Sequence, residues 1–328
     1  MTGISTDLPP RSGSRARWNR WLGVVCLVPL ALAQSVPAQM PGTPPAAVPA
    51  PITPIPPAPA ADPLKLALGE RLFADRRLSH DETLACMSCH DVHGNGADDG
   101  RHLRARDGSK FRFAILTVFN AALNFRLNWE GNYRTLEAQA QSSLENPTNM
   151  GSSVPEVLSR LNADPDMVRR FRAAYGHKAD RTSLLDAIAT YERSLLTPGS
   201  RFDRWLAGDA HALTAKEQAG YRLFTSLGCI SCHQGVNVGG NLFQRTGIFH
   251  PLTSSGHLKL RVPSLRNIAT LAPYFHDDSA PTLADAVKRM AMAQLDRSLS
   301  DQQIGTIVAF LGTLTGTYHG TTIAAAPP

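Results

Sequence analysis

The sequence predicts a mostly α-helical protein made of two similar halves. Apolar residues recur at three- and four-residue spacing through the middle and the end of the chain, whereas alternating strand patterns are scarce. One short pattern also occurs twice. Gly69-Glu70-Arg71-Leu72-Phe73 and Gly220-Tyr221-Arg222-Leu223-Phe224 share Gly-x-Arg-Leu-Phe, and each precedes a Cys-x-x-Cys-His, at Cys86–His90 and at Cys229–His233. Two halves, each presenting a helix before its cysteine motif, are the simplest reading.

Cys-x-x-Cys-His is the attachment pattern of c-type haem. Two thiols three positions apart, here Cys86 with Cys89 and Cys229 with Cys232, reach the two vinyl groups of one haem. The adjacent His90 or His233 then swings beneath the ring to ligate iron. Zinc is the competing reading, because two Cys-x-x-Cys pairs could make a four-sulphur site. A zinc site, however, does not require a His directly after both pairs. Nor does it require the other cysteine to be confined to the extreme N-terminal region, where Cys26 lies. The expected cofactors are two covalently bound haem c.

In chain order, residues 1–33 read as a secretory signal. A basic segment ends at Arg20, an apolar run covers residues 21–32, and small-residue cleavage sites follow. Four arginines against Asp7 lie in this leader, so the net charge of +6 falls to about half in the remainder, and nothing favours a nucleic-acid partner. Covalent haem attachment agrees with export, and the periplasm is the expected location. Residues 34–63 are mostly Pro and Ala and read as an extended linker. A first haem domain is expected over residues 64–199, a second over 200–320, and a tail over 321–328. Leu66, Leu68, Leu72 and Phe73 give a first helical face. Residues 153–161, 167–175 and 183–196 give three more, and Pro198-Gly199 breaks the last. Residues 201–206 open the second half, residues 235–241 form a Gly/Asn-rich loop around a haem edge, and residues 282–295 and 300–315 are two closing helices.

The second half carries the more specific signal. Arg261-Val262-Pro263-Ser264-Leu265-Arg266-Asn267-Ile268, followed by Ala272-Pro273-Tyr274-Phe275-His276-Asp277, resembles the signature of bacterial dihaem cytochrome c peroxidases and the related MauG proteins. Leu136-Glu137-Ala138-Gln139-Ala140 and Ile307-Val308-Ala309-Phe310-Leu311 add to the match, which runs from about residue 64 to 316. The resemblance implies two cytochrome c-like haem domains packed side by side, one admitting electrons and the other reacting with peroxide.

It also implies roles for single residues. His233 would be the proximal ligand of the second haem, with Met290 as its other ligand where MauG-like relatives carry Tyr; Met292 falls on a different helical face. His90 would be the proximal ligand of the first haem. Three departures surround it. Asn149 stands where the family places a catalytic Glu, with Glu145 four residues earlier. Arg106 stands where many members carry a reversible distal His. The nearby His102 is then either an iron ligand, a propionate contact or a solvent-exposed side chain, and His93 lies close to His90. Ala114 stands where an Asn helps bind calcium between the haems, leaving backbone carbonyls near Leu271 and Pro273. Trp129, retained at a position between the haems, is the expected electron stepping-stone, and Gln139 matches a residue near the reactive haem.

Three functions follow as expectations. The first is reduction of hydrogen peroxide with electrons from a small cytochrome c or cupredoxin. The second is MauG-like peroxide-dependent oxidation of a protein or organic substrate. The third is a dihaem electron carrier or redox sensor without catalysis. A homodimer is compatible with each.

Overall fold

The computed structural model describes residues 50–97, 105–254 and 256–325. Among these, nine α-helices dominate and two two-stranded antiparallel ribbons are the only sheets. No described helix is long and apolar enough to cross a membrane.

Helix α1 (Pro63–Phe73) begins where the Asp62 carboxylate accepts from the N–H groups of Leu64 and Lys65, with Pro at the first helical position. It crosses α5 (Arg181–Ser194) at Gly69. A Cβ there would stand 2.1 Å from the Ala187 carbonyl oxygen and 2.8 Å from Tyr191 Cβ. The second half repeats the device. Helix α7 (Ala215–Ser226) crosses α9 (Asp301–Gly312) at Gly220, where a Cβ would stand 2.2 Å from the Thr306 carbonyl oxygen and 2.7 Å from Phe310 Cβ. The glycine of the repeated pentapeptide is therefore a helix-crossing residue in both halves.

A second repeat, barely visible in the residues, is plain in the backbone. Asn120 and Asn267 adopt left-handed conformations (φ 61° and 60°), as do Asn128 and Phe275 (66° and 76°) and Gly131 and Asp278 (67° and 56°). Bridges Leu127–Tyr133 and Tyr274–Ala280 close the corresponding loops. Thr135 and Thr282 then cap α2 (Leu136–Glu145) and α8 (Leu283–Leu295) through their side-chain oxygens. The sequence interval is the same in every pair, yet side chains such as Trp129 and His276 differ.

Each half has its own core. Leu72, Leu161, Phe171 and Leu184 centre the first, which also takes in α3 (Val154–Ala163) and α4 (Pro165–Tyr175). Phe202 of α6 (Arg201–Leu206), Phe224, Ile307 and Phe310 centre the second. Between the halves, Asn120 Nδ2 donates to Thr197 Oγ1 (2.7 Å), Asn267 Nδ2 donates to the same oxygen (3.1 Å), and the Thr197 N–H donates to Asn120 Oδ1 (2.9 Å).

Two expectations change. The end of the Pro/Ala-rich tract is extended but is not a free spacer: Ile52 is buried in the second core, Ile55 is buried too, and the Pro51 and Thr53 carbonyls accept from Gly235 N–H and Arg266 Nη2. A Pro-rich backbone leaves its carbonyls unpaired, so they are open to donors from the body while the two isoleucines bury their side chains. The Gly/Asn-rich loop does more than wrap an edge. Its Asn237 Nδ2 donates to the Asn120 carbonyl (3.0 Å) and to Asn124 Oδ1 (2.9 Å), tying the halves together.

Candidate active site

The second motif opens a cavity of about 530 Å³. Cys229 begins a 3₁₀ turn (Cys229–Ser231), and the His233 N–H donates to the Cys229 carbonyl (3.0 Å), which swings the imidazole under the two thiols. His233 Nδ1 donates to the Val238 carbonyl (3.3 Å), so the protonated nitrogen is fixed and Nε2 keeps its lone pair. Burial holds this imidazole neutral, down to about 4. Cys229, Cys232, His233 and Met290 all line the cavity, whereas Met292 points outward at 38% exposure.

Arg261 opens the Arg-Val-Pro-Ser-Leu-Arg-Asn-Ile stretch, whose residue types alone assign it no role. It lines the same cavity, 3% exposed; its guanidinium reaches only the Asn128 and Val262 carbonyls, and burial lowers it to about 10. A buried guanidinium that faces the cavity and is held only by carbonyls is what a haem propionate would neutralise.

The first motif has the same local geometry. The His90 N–H donates to the Cys86 carbonyl (3.0 Å), and His90 Nδ1 donates to the Gly96 carbonyl (3.3 Å); burial again holds the ring neutral, down to about 4. Burial, then the nearby Glu192 carboxyl, pushes the Cys86 thiol up to about 12. Asn149 sits half-buried in the turn after α2, its N–H donating to the Asn146 carbonyl, and the next residue, Met150, packs in the cluster that Cys86 joins. Gln139 donates from Nε2 to Ser143 Oγ (2.9 Å), and the Met150 N–H donates to the Ser143 carbonyl (3.3 Å). Gln139 and the Asn149 turn therefore meet at one end of α2. Glu145 is exposed and accepts from Gln141, so it is turned to solvent.

The Arg106 N–H donates to the Thr148 carbonyl (3.1 Å), and the guanidinium lies across Gly151, where a Cβ would stand 1.7 Å from Nη1. Its buried Nε has no hydrogen-bond partner. Arg106 thus reaches the Asn149 turn itself. His93 is exposed, and His102 lies outside the described residues.

Trp129, from the first half of the chain, stands at the second cavity. It lines the second cavity, donates from Nε1 to the Ala114 carbonyl (2.8 Å), and stands edge-on to His276 with ring centres 6.2 Å apart. The cavity also reaches Ala97 and Thr117 beside the first loop, and Asn95 Nδ2 donates across the halves to the Thr270 carbonyl (2.7 Å).

Two features fit covalent haem: paired thiols beside a tautomer-fixed histidine at each site, and a buried arginine held only by carbonyls at the second. The zinc alternative does not fit. Among the described residues, which include the four thiols of the two motifs, no three His, Cys, Asp or Glu side chains converge to hold a metal ion.

Comparison with known proteins agrees. A profile described as di-haem cytochrome c peroxidase matches residues 63–211, and one described as cytochrome c matches residues 217–315. Cytochrome c peroxidase Ccp of Escherichia coli (strain K12) is 37% identical over 82% of this chain, which spans 62% of that relative's length. Cytochrome c551 peroxidase of Nitrosomonas europaea is 36% identical, covering 80% of this chain and 83% of its own length. Methylamine utilization protein MauG of Methylorubrum extorquens is 31% identical over 79% of this chain and 81% of its own. Among solved structures, a MauG-like protein associated with microbial copper homeostasis superposes with a TM-score of 0.69 at 28% identity, covering 86% of this chain and 96% of that one. With its two haem motifs, its paired halves and these relatives, the chain belongs to the di-haem cytochrome c peroxidase family of oxidoreductases.

Proposed function

We propose that the protein is a periplasmic peroxidase that reduces hydrogen peroxide to water, taking electrons from a small cytochrome c or cupredoxin at the second site and using them at the first. One observation supports this division most directly. The eighth residue of α8 is Met290, and the eighth residue of the equivalent α2 is Ser143. A thioether is an iron ligand that raises a haem's potential, as suits electron entry. A serine hydroxyl, already accepting from Gln139, would supply no such ligand, and a haem at the first site would be the one left to react with peroxide.

Haem bound at both motifs supplies the redox-active iron. The chain's residues do the rest. His90 and His233 present Nε2 because their Nδ1–H groups are engaged by backbone carbonyls. Arg261, and Arg106 through its free Nε, provide positive charge for propionates. Trp129 offers a π-system beside the second cavity for passage between the halves. Asn149 can hydrogen-bond peroxide but cannot transfer a proton near neutral pH.

That last point favours a second reading, in which the same site performs slower MauG-like oxidation of a protein or organic substrate. Steady-state kinetics with peroxide and reduced cytochrome c on the wild type and Asn149→Glu test both. We expect low wild-type turnover that the carboxylate raises roughly 100-fold, the lower range for a positioned acid. A wild type already as fast as the variant would assign the proton transfer to another group. Failure of the reduced protein to bind carbon monoxide or peroxide at either haem would reduce it to an electron carrier.

A further inference from the structure

Glu192 is a buried carboxyl that the reaction outlined above does not use. It is 8% exposed, and its Oε2 has no hydrogen-bond partner. Its place relative to the first haem motif follows from two independent observations. On α5, Ile188 and Glu192 share one face, and Leu195 caps the helix three residues on. Ile188 belongs to the cluster that Cys86 joins from one side, and Leu195 to the cluster that Cys86 and Met87 join from the other.

The second observation is the pairing of the halves. Gly69 meets Ala187 and Tyr191 as Gly220 meets Thr306 and Phe310. One residue past Phe310 is Leu311, which lines the second cavity; one residue past Tyr191 is Glu192. Ile188 likewise answers to Ile307, which also lines that cavity. The first half thus has a carboxyl at the position equivalent to the leucine that lines the second cavity.

We propose that Glu192 is the proton-coupling residue of the first haem: one-electron reduction of that haem is accompanied by uptake of one solvent proton on the Glu192 carboxylate. The balance is simple. The ferric centre loses one positive charge on becoming ferrous, the electron coming from the donor, and the carboxylate gains a proton and loses its negative charge. The second haem, walled by Leu311, lacks this coupling.

The surroundings fit a group poised between its two forms. Burial, then the Glu137 carboxylate of α2, pushes Glu192 up to about 8, with Arg193 opposing. Arg193 itself pairs with Glu137. From α1, Lys65 is engaged by Asp186 and Glu70 acts on Tyr191; from α3, Glu156 and Arg160 pair with each other; residues 121–123 bring no charge. Cys86 becomes a thioether once haem is attached.

The inference rests on haem being bound at the first motif, so a haem count per chain comes first, and a count of one defeats that reading rather than this one. With two haems present, spectroelectrochemical titration of the holoprotein from pH about 6 to about 10 reads both potentials. We expect the first haem's potential to fall as pH rises. Its limiting slope is tenfold in the reduction equilibrium per pH unit, or about 59 mV. Glu192→Gln, which keeps the shape, and Glu192→Leu, which copies the second site, should both abolish that slope, with the second haem unchanged as internal control. A flat wild-type profile overturns the proposal. So does a slope that survives in either variant, which would assign the coupling to the propionates.

Discussion

Glu192 shows how one side chain can mark two similar pockets as different. Its carboxyl is held well above the ordinary carboxylate value by burial, so the folded state binds its proton more tightly than the unfolded chain does. The sign follows from linkage. The stabilising contribution is complete below the unfolded value near 4.5 and is lost as pH rises through the folded value near 8. Unfolding free energy from chemical denaturation should therefore decline between those limits, and Glu192→Gln should flatten the decline. An unaltered profile in the variant would mean that another group dominates. Asn149 and Arg106 carry the other residue-scale lesson. Both were singled out as departures from a family pattern, and folding puts them side by side, because the Arg106 N–H donates to the carbonyl immediately before Asn149.

Elements are held in place by two kinds of contact, close helix crossings and a buried ion pair. Gly220 lets α7 lie against the α9 backbone, and Ala there should cost about 2–3 kcal/mol, the overpacking range, with loss of haem at the second motif before the first. Gly305, on α9 with nothing within 4 Å of its would-be Cβ, is the control: Gly305→Ala should stabilise by about 0.5–1 kcal/mol. Thermal melts of the two variants read the contrast, and equal effects would contradict the crossing geometry. Arg266 is the second kind of contact. It is 1% exposed, pairs with Asp203 (2.7 Å), and donates to the Val236 and Thr53 carbonyls. Arg266→Ala leaves a buried carboxylate unpaired and should cost about 3–5 kcal/mol. It should also free residues 51–55, seen as faster amide exchange at Gly235, whose N–H is bonded to Pro51. Slow exchange there in the variant would show that Ile52 alone holds the segment.

For the whole molecule, the decisive contact is Thr197, whose hydroxyl receives an amide from each half. Thr197→Val keeps the shape and leaves Asn120 and Asn267 each short of a partner, at about 1–3 kcal/mol per orphaned group. The expected signature is a lower unfolding midpoint together with slower electron equilibration between the haems in flash photolysis. Unchanged equilibration would show that the halves stay registered without the hub.

The chemistry of attachment was legible in the residues because covalent haem needs two thiols and a histidine at fixed local spacing, and the helices because their apolar faces repeat along the chain. The Gly-x-Arg-Leu-Phe repeat was legible too, since a close helix crossing admits only glycine. The second repeat was not. It is written in left-handed backbone positions where Asn128 answers to Phe275 and Gly131 to Asp278, so scattered identities such as Asn120 with Asn267 and Thr135 with Thr282 are too few to display it. Nor could the sequence assign Glu192, Arg261 or Ile52. Each takes its meaning from a partner far along the chain: a cysteine motif for the acid, a cavity wall for the arginine, the second core for the isoleucine. Local spacing determined what this protein binds. That Met290 and Arg261 line one cavity, and that Glu192 lies buried without a partner for its Oε2, was decided by packing, because burial and pairing are properties of the folded chain.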